Sequence, residues 1–176
     1  MALVDSGQKS GVVTCTLLLL RHAKSDWGDS QLSDHERPLN RRGRAAAPRV
    51  GRLLAERGLI PQLMVVSDAR RTLETAELVA QACGYSGEIR STRQLYLAPP
   101  STYLDMLLEV EPGTQRVLLL GHNPGIAQLH AHLAGVGCDM PTAALSQFEL
   151  SAAQFASVDG TTEAFLRGYW VPRDLK

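Results

Sequence analysis

Residues 117–125 read VLLLGHNPG, a run of four apolar side chains that gives way at once to polar and turn-forming residues. Two other runs, Leu17–Leu20 and Leu63–Val66, have the same form. Short apolar runs that end abruptly are typical of central strands in a parallel sheet, because such strands are buried on both faces. We therefore predict that Leu17–Leu20, Leu63–Val66 and Val117–Leu120 are central strands of one sheet.

Segments with helical periodicity separate these runs, which predicts helices on the faces of the sheet. The segment that ends at Gly58 contains Gly43 and Pro48. An interior proline removes a helical hydrogen bond, so we expect a kink or a late start in this helix. The predicted helices are Asn40–Arg57, Ala69–Cys83, Ser101–Glu111 and Pro124 to about Ala134.

Two of these helices begin directly after a predicted strand. Ser67 or Asp68 is the candidate N-cap of the helix that follows the second strand. Asn123 is the candidate N-cap after the third strand, with Pro124 as the first helical residue. The second of these starts places His122 just ahead of a helix N-terminus.

The last part of the chain has a strand pattern of its own. Leu145–Leu150 and Ala164–Trp170 are predicted as strands joined through a turn at Asp159-Gly160, and they form an antiparallel edge. Together with the alternating strands and helices, this pattern predicts the α/β class, as a three-layer α/β/α sandwich with a mostly parallel central sheet.

Length and charge limit the possible functions. A chain of 176 residues and 19.1 kDa fits one domain, and we assign it to residues 15–176, with residues 1–14 as a disordered tail. Eighteen basic residues balance eighteen acidic ones. The chain lacks the basic excess of many proteins that bind nucleic acid or membrane surfaces, so we expect neither partner.

Cysteine usage points to a reducing compartment. Cys15, Cys83 and Cys138 are odd in number and far apart, which argues against a disulfide framework. The segment Val12–Leu20 resembles a secretory signal, but no convincing small-residue cleavage site follows it. We expect a cytoplasmic protein.

The ends of the three predicted strands carry the most unusual polar residues. In open α/β sheets, ligands bind at the carboxyl ends of the strands. Arg21 and His22 follow the first strand, Arg70 and Arg71 follow the second, and His122 follows the third. One guanidinium group can bind two phosphate oxygens at once. The helix amides at residues 123–126 add the positive end of a helix dipole. A neutral imidazole among these donors can attack phosphorus.

Each of these residues also has a purely structural interpretation. His122 alone can serve as a helix cap, and Arg70 or Arg71 can pair with Glu74 at helical spacing. A single Arg-His pair after a strand is most often a solvated strand end. The coincidence of all three strand ends favours an anion site.

Three motifs resemble the histidine phosphatase superfamily in its order along the chain, and a fourth, the second of the motifs below, carries a narrower likeness. They are Leu20-Arg21-His22-Ala23-Lys24, Asp34-His35-Glu36-Arg37-Pro38-Leu39-Asn40 with Gly43, Ser67-Asp68-Ala69-Arg70-Arg71-Thr72-Leu73-Glu74-Thr75-Ala76, and Gly121-His122-Asn123-Pro124. The second of these is similar to the SixA-type phosphohistidine phosphatases. The resemblance extends from about Thr16 to Leu175 and implies a phosphoglycerate mutase-like fold.

The resemblance also implies roles for site residues. His22 is the residue that becomes phosphorylated, and Arg21, Arg71 and His122 form the phosphate pocket. Arg71, rather than Arg70, occupies the arginine position of the family. Asn123 is a further candidate for phosphate binding.

One departure from many relatives concerns the proton donor. The stretch Arg93–Leu97 has no carboxylate, where relatives of the phosphoglycerate mutase type carry a glutamate acid. An imidazole leaving group, with a reference pKa near 6.5, can leave with little acid help. Asp26, Asp34 and Glu36, in the long loop between Ala23 and Leu39, are alternative acids or ordinary solvated carboxylates.

Three functions follow from these observations. The leading one is a phosphatase that works through a phosphohistidine intermediate on protein phosphohistidine. A phosphatase of a small phosphorylated metabolite or nucleotide is the alternative, and a non-catalytic phosphate-binding module is the third.

A run of arginines follows the first long loop and comprises Arg37, Arg41, Arg42, Arg44, Arg49 and Arg52. This arginine run is either a docking surface for an acidic phosphoprotein or a solvated helix face.

No cofactor and no metal is expected, because the arginines already supply positive charge. His130, His132 and Cys138 do not suit zinc. A His-x-His pair on a helix points its two rings about 200° apart.

Overall fold

At the centre of the computed structural model, which describes residues 14–175, is a six-stranded sheet. The strands are β1 (Cys15–Arg21), β2 (Leu63–Ser67), β3 (Glu88–Thr92), β4 (Arg116–Gly121), β5 (Leu145–Leu150) and β6 (Ala164–Trp170). Their order across the sheet is β3-β2-β4-β1-β5-β6. The first four strands in this order are parallel, and β5 and β6 add an antiparallel edge.

The register of the central strands brings two predicted site residues side by side. β1 and β4 are parallel neighbours in which Leu20 lies opposite Leu120, and Arg21 lies opposite Gly121. The residue after each strand is a histidine. His22 and His122 therefore leave the sheet at the same edge and at the same level.

Helices cover both faces of the sheet. Alternate strand residues point to opposite faces, so Leu18 and Leu20 pack with one helical layer, while Leu17 and Leu19 pack with the other. A fully buried leucine stabilises the fold by about 1.5–3 kcal/mol. Helices α1 (Arg41–Glu56) and α2 (Arg70–Cys83) form the first layer, and α3 (Pro100–Leu108) and α4 (Gly125–Ala134) form the second. The predicted three-layer α/β/α sandwich is confirmed.

Helix α1 begins at Arg41, so of the two predicted alternatives, a kink or a late start, the late start is wrong. Asn40 caps the helix, since its side chain accepts a hydrogen bond of 3.0 Å from the Gly43 amide. Pro48 lies inside the helix. A Cβ atom on Gly43 would overlap the backbone carbonyl of Lys24, which is why glycine is required where α1 crosses the loop after β1.

Other boundaries differ from the predictions in informative ways. The edge strand β3 was not predicted, because its sequence, EIRST, has no apolar run and its side chains are at least partly exposed. Helix α3 begins one residue earlier and ends three residues earlier than predicted. The antiparallel pair β5 and β6 has the predicted bounds. The predicted tail lies outside the described residues except for Thr14.

Within residues 14–175, none of the helices has both the length and the apolar character that crossing a membrane requires.

Candidate active site

A cavity of about 250 Å³ lies at the carboxyl ends of β1 and β4. The rings of His22 and His122 are 5.1 Å apart between centroids. Both side chains are almost completely buried. The cavity is lined by Arg21, His22, Lys24, Ser25, Trp27, Asp34, Arg37, Arg71, Leu97, His122, Asn123 and Thr142. All five predicted site residues line it.

The ring of His22 is held in one orientation. Its Nδ1 lies 2.7 Å from the carbonyl oxygen of Ala23, which can only accept a hydrogen bond, so Nδ1 carries the proton. The lone pair of Nε2 is then directed towards the guanidinium of Arg71, whose Nε lies 3.4 Å away. Burial, together with the charges of Arg71, Arg21 and Arg37, lowers the pKa of His22 to about 3. At neutral pH the imidazole is uncharged and nucleophilic.

Arg71 is the central cation of the cavity, and the neighbouring Arg70 is not part of it. The Arg71 side chain is buried, with Nη2 3.0 Å from Asp34 Oδ2 and 3.1 Å from His122 Nδ1. Arg70 is exposed and pairs with Glu74 at 2.9 Å. Arg70 therefore has the salt-bridging position that the sequence allowed for either arginine.

This geometry results from how α2 starts. The N-cap of α2 is Ala69, without a side-chain cap, so the prediction of Ser67 or Asp68 is wrong. Ser67 instead accepts from His122 Nε2 at 2.9 Å. Because Arg71 donates to Nδ1, His122 is neutral with its proton on Nε2. Burial, with the charge that His22 carries when it is protonated and the charge of Arg71, lowers the pKa of His122 to about 3.

Arg21 and Asn123 are anchored to the same backbone carbonyl. Arg21 Nη1 and Asn123 Nδ2 donate to the oxygen of Met140 at 2.7 and 3.1 Å. Asn123 is not the N-cap of α4, since Pro124 takes that position and the helix begins at Gly125. Within residues 14–175, the buried Nε of Arg21 and Oδ1 of Asn123 have no hydrogen-bond partner.

Arg37 is a site residue that sequence reasoning assigned elsewhere. It was counted in the arginine run, but its side chain is buried and lines the cavity. Its guanidinium carbon lies 3.1 Å from the centre of the Trp27 ring, and Nη2 donates to Ser25 at 3.1 Å. No acceptor among residues 14–175 contacts its buried Nε and Nη1. The motif around Arg37 was the available signal, but it was used only to identify the family.

Asp34 connects the two buried arginines. Its carboxylate contacts Arg71 at 3.0 Å and Arg37 at 3.2 Å, and it accepts from the Tyr96 hydroxyl at 2.6 Å. Burial opposes ionisation, but the hydrogen bond from Tyr96 and the charges of Arg71 and Arg37 hold the pKa of Asp34 below its usual value. An ionised carboxylate in this setting is an acceptor rather than a proton donor.

The other two candidate acids lie outside the cavity. Asp26 is exposed and accepts from the Gly28 amide at 2.9 Å, and Glu36 accepts from the Ser33 hydroxyl at 2.8 Å. In the stretch without a carboxylate, Tyr96 contacts Asp34 and Leu97 lines the cavity. Asp34 is thus the one carboxylate among the lining residues.

The arrangement suits a small tetrahedral anion. Three guanidinium groups surround a neutral imidazole, and buried donors of Arg21 and Arg37 lack acceptors within residues 14–175. Hydrogen bonds to charged groups are worth about 1.5–3 kcal/mol each. In the same part of the chain, no group of three or more His, Cys, Asp or Glu side chains has the arrangement of a metal site.

Sequence comparisons identify relatives of this chain. The sequence profile of the histidine phosphatase superfamily (branch 1) matches residues 17–95. An uncharacterized chloroplastic protein of Arabidopsis thaliana is 34% identical over 135 residues, covering 72% of this chain and 62% of that protein. A 2,3-bisphosphoglycerate-dependent phosphoglycerate mutase of Mycobacterium leprae is 45% identical over 67 residues. That match covers 37% of this chain and 27% of the mutase. The chain thus spans less than two thirds of both relatives.

Comparison of structures points to the same group. The SixA protein of Agrobacterium tumefaciens, assigned as a phosphohistidine phosphatase, superimposes with a TM-score of 0.76 at 26% identity. The match covers 90% of this chain and 98% of the SixA chain. The fold is therefore that of the SixA proteins over nearly their whole length.

Proposed function

We propose that the chain, which matches the histidine phosphatase superfamily over residues 17–95 and the SixA fold over 90% of its length, is a phosphatase in which His22 accepts the phosphoryl group of the substrate. The observation that carries this proposal is the state of His22. Its ring is buried and neutral, its Nδ1 proton is held by Ala23, and its Nε2 faces Arg71. A nucleophile, its orientation and a charge clamp thus occur in one cavity.

In the first step, the Nε2 lone pair forms a bond to phosphorus while the bond from phosphorus to the leaving group breaks. Arg21, Arg37 and Arg71 bind the phosphoryl oxygens and offset the charge that develops on them. His22 keeps its Nδ1 proton, so the phosphorylated ring is a cation. Its charge is stabilised by the Ala23 carbonyl.

In the second step, water attacks phosphorus and the bond to Nε2 breaks. The ring recovers its lone pair and becomes neutral again, which makes it a good leaving group. The proton of the water passes to phosphate or to solvent. Phosphate then dissociates, and the cavity returns to its starting state.

The substrate we propose is a phosphohistidine on a protein. The one lining carboxylate, Asp34, is ionised and paired with two arginines, so it is poorly suited to protonate an alkoxide. A phosphohistidine ring with a proton on its other nitrogen departs as neutral imidazole, whose conjugate acid has a pKa near 6.5, so this leaving group needs no proton from the cavity. A cavity without a suitable proton donor is therefore consistent with a phosphohistidine substrate.

The experiment that tests the mechanism is a trapping assay. Wild-type protein is mixed with a radiolabelled histidine-phosphorylated peptide and denatured rapidly. We expect base-stable, acid-labile label on His22, with none on His22→Asn. Turnover without a labelled intermediate would contradict the mechanism.

A substrate panel tests the leaving-group argument. A histidine-phosphorylated protein is compared with a set of phosphate monoesters, including phosphorylated sugars and nucleotides. We expect a higher kcat/KM for the phosphohistidine protein. Faster turnover of an ester would favour the alternative of a small phosphorylated metabolite, and a lack of turnover with any substrate would favour a non-catalytic module.

A further inference from the structure

A second cavity adjoins the phosphate cavity and is larger, at about 610 Å³. The two cavities share Lys24 and Thr142 in their walls. We call the second one the basic cleft, and its lining is Lys24, Arg42, Ala45, Ala46, Arg49, Asp139, Pro141, Thr142, Tyr169, Val171, Pro172, Arg173 and Asp174. A molecule whose phosphoryl group lies at His22 can extend into it past Lys24.

One wall of the basic cleft is a face of helix α1. Arg42, Ala45, Ala46 and Arg49 follow the spacing i, i+3, i+4 and i+7, which places them on one side of a helix. The two alanines leave room between the arginines. The N-terminus of α1 is fixed next to the phosphate cavity, because the Asn40 amide donates to the Lys24 carbonyl at 3.0 Å.

The basic cleft has an excess of positive charge. It is lined by four cationic side chains and two carboxylates, and one carboxylate, Asp174, lies 3.7 Å from Arg173. In the part of the chain that the structure describes, Lys24, Arg42 and Arg49 have no carboxylate within 4.0 Å.

This positive charge is not general to the arginine run. Arg44 pairs with Glu74 at 3.0 Å, and Arg37 lies in the phosphate cavity. Arg41 and Arg52 also have no carboxylate within 4.0 Å among residues 14–175, but neither lines the basic cleft. The unpaired charge of α1 at the wall of the cleft therefore comes from Arg42 and Arg49.

The mouth of the phosphate cavity is apolar and exposed. Trp27 and Leu97 line the cavity but are 69% and 53% exposed. Large aromatic and apolar side chains at an open rim are typical of surfaces that contact another protein. A small metabolite enclosed in the cavities would leave these side chains in water.

We propose that the basic cleft binds an acidic segment of the phosphoprotein substrate, next to the phosphohistidine that enters the His22 cavity. The proposal rests on the proposed phosphatase function and adds to it the chemistry by which the protein substrate is selected. Lys24, Arg42 and Arg49 attract carboxylates of the partner, while Trp27 and Leu97 contact its surface.

The test uses two synthetic peptides of the same sequence around a central phosphohistidine. One has glutamates on both sides of it, and the other has glutamines at the same positions. We expect wild-type protein to have a kcat/KM about tenfold higher for the glutamate peptide, an advantage that falls with added salt. In Arg42→Gln/Arg49→Gln this ratio falls to about two to three, because Lys24 remains.

The matched control is Arg52→Gln, which changes an exposed arginine of the same helix that lines neither cavity. Its ratio stays that of wild type. The proposal is overturned if Arg42→Gln/Arg49→Gln leaves the ratio of the two kcat/KM values unchanged. It is also overturned if Arg52→Gln lowers that ratio as much as the double variant does. The choice of partner is overturned if Arg42→Gln/Arg49→Gln changes the KM of a bisphosphorylated small ester but not the KM of the glutamate peptide.

Binding is measured separately, so that failure of the proposed function is distinguishable. The unphosphorylated glutamate peptide carries a fluorophore, and its anisotropy is followed with His22→Asn protein. Binding that Arg42→Gln/Arg49→Gln weakens supports the basic cleft even if neither peptide is dephosphorylated. Equal binding of the glutamate and glutamine peptides counts against it.

Discussion

Replacing Arg71 by lysine tests the phosphate cavity while retaining the positive charge. Arg71 donates to His22 Nε2, to His122 Nδ1, and to both the carboxylate and the backbone carbonyl of Asp34. A guanidinium has five N–H donors in a planar fork, whereas an ammonium has three on one atom. Lysine therefore cannot hold Asp34 and clamp a phosphoryl group at the same time.

The size of the effect follows from the bonds that lysine cannot form. Losing two charge-assisted hydrogen bonds in the transition state removes about 3–6 kcal/mol. At 1.36 kcal/mol for each factor of ten, kcat/KM falls about 10²- to 10⁴-fold. Arg70→Lys is the control. Arg70 is exposed, and its ion pair with Glu74 stabilises the fold by at most about 0.5 kcal/mol.

The assay compares kcat/KM of both variants with a histidine-phosphorylated peptide, and urea unfolding shows that both are folded. We expect Arg70→Lys to remain within about twofold of wild type. The reasoning is refuted if folded Arg71→Lys also stays within about twofold, or if the two variants lose the same activity.

Three further changes test the surrounding structure. Asp34→Asn removes a negative charge next to Arg71 and Arg37, so inorganic phosphate should inhibit about three- to tenfold more tightly, and weaker inhibition would count against this. Gly43→Ala should lower stability by about 1–3 kcal/mol in thermal unfolding, because the new Cβ overlaps the Lys24 carbonyl; an unchanged Tm would show that α1 can shift. Stability should fall as the pH drops below about 6.5, because the unfolded imidazoles then bind protons that native His22 and His122, with pKa values of about 3, do not. At pH 5 this loss is about 2 kcal/mol per histidine, measured by urea unfolding, and His122→Gln should show a smaller loss than wild type.

Much of the fold could be predicted because the apolar residues of the central strands indicate that these strands are buried. Runs such as Leu17–Leu20 are short and apolar at every position, which is typical of a strand buried on both faces. Strand β3 could not be found in this way, because it is a partly exposed edge strand whose polar residues resemble those of a loop. Its position depends on pairing with β2, a contact between distant parts of the chain.

The arginines of the site also show which features the sequence could predict and which it could not. Adjacent residues on a helix point about 100° apart, so either Arg70 or Arg71 can enter the cavity, and motif position alone favoured Arg71. The start of α2 at Arg70 directs Arg71 inwards and leaves Arg70 to Glu74. Arg37 was assigned to a surface run, yet the loop folds back so that Trp27 covers it beside Asp34.

The sequence by itself determined that two histidines and a set of arginines follow buried parallel strands, because strand burial and strand ends are local properties of the chain. Only the tertiary structure decided which guanidiniums face His22, that Asp34 is bound between two of them, and that a second, basic cleft adjoins the phosphate cavity. These features depend on how loops and helix faces far apart in the chain come together. No local pattern specifies them.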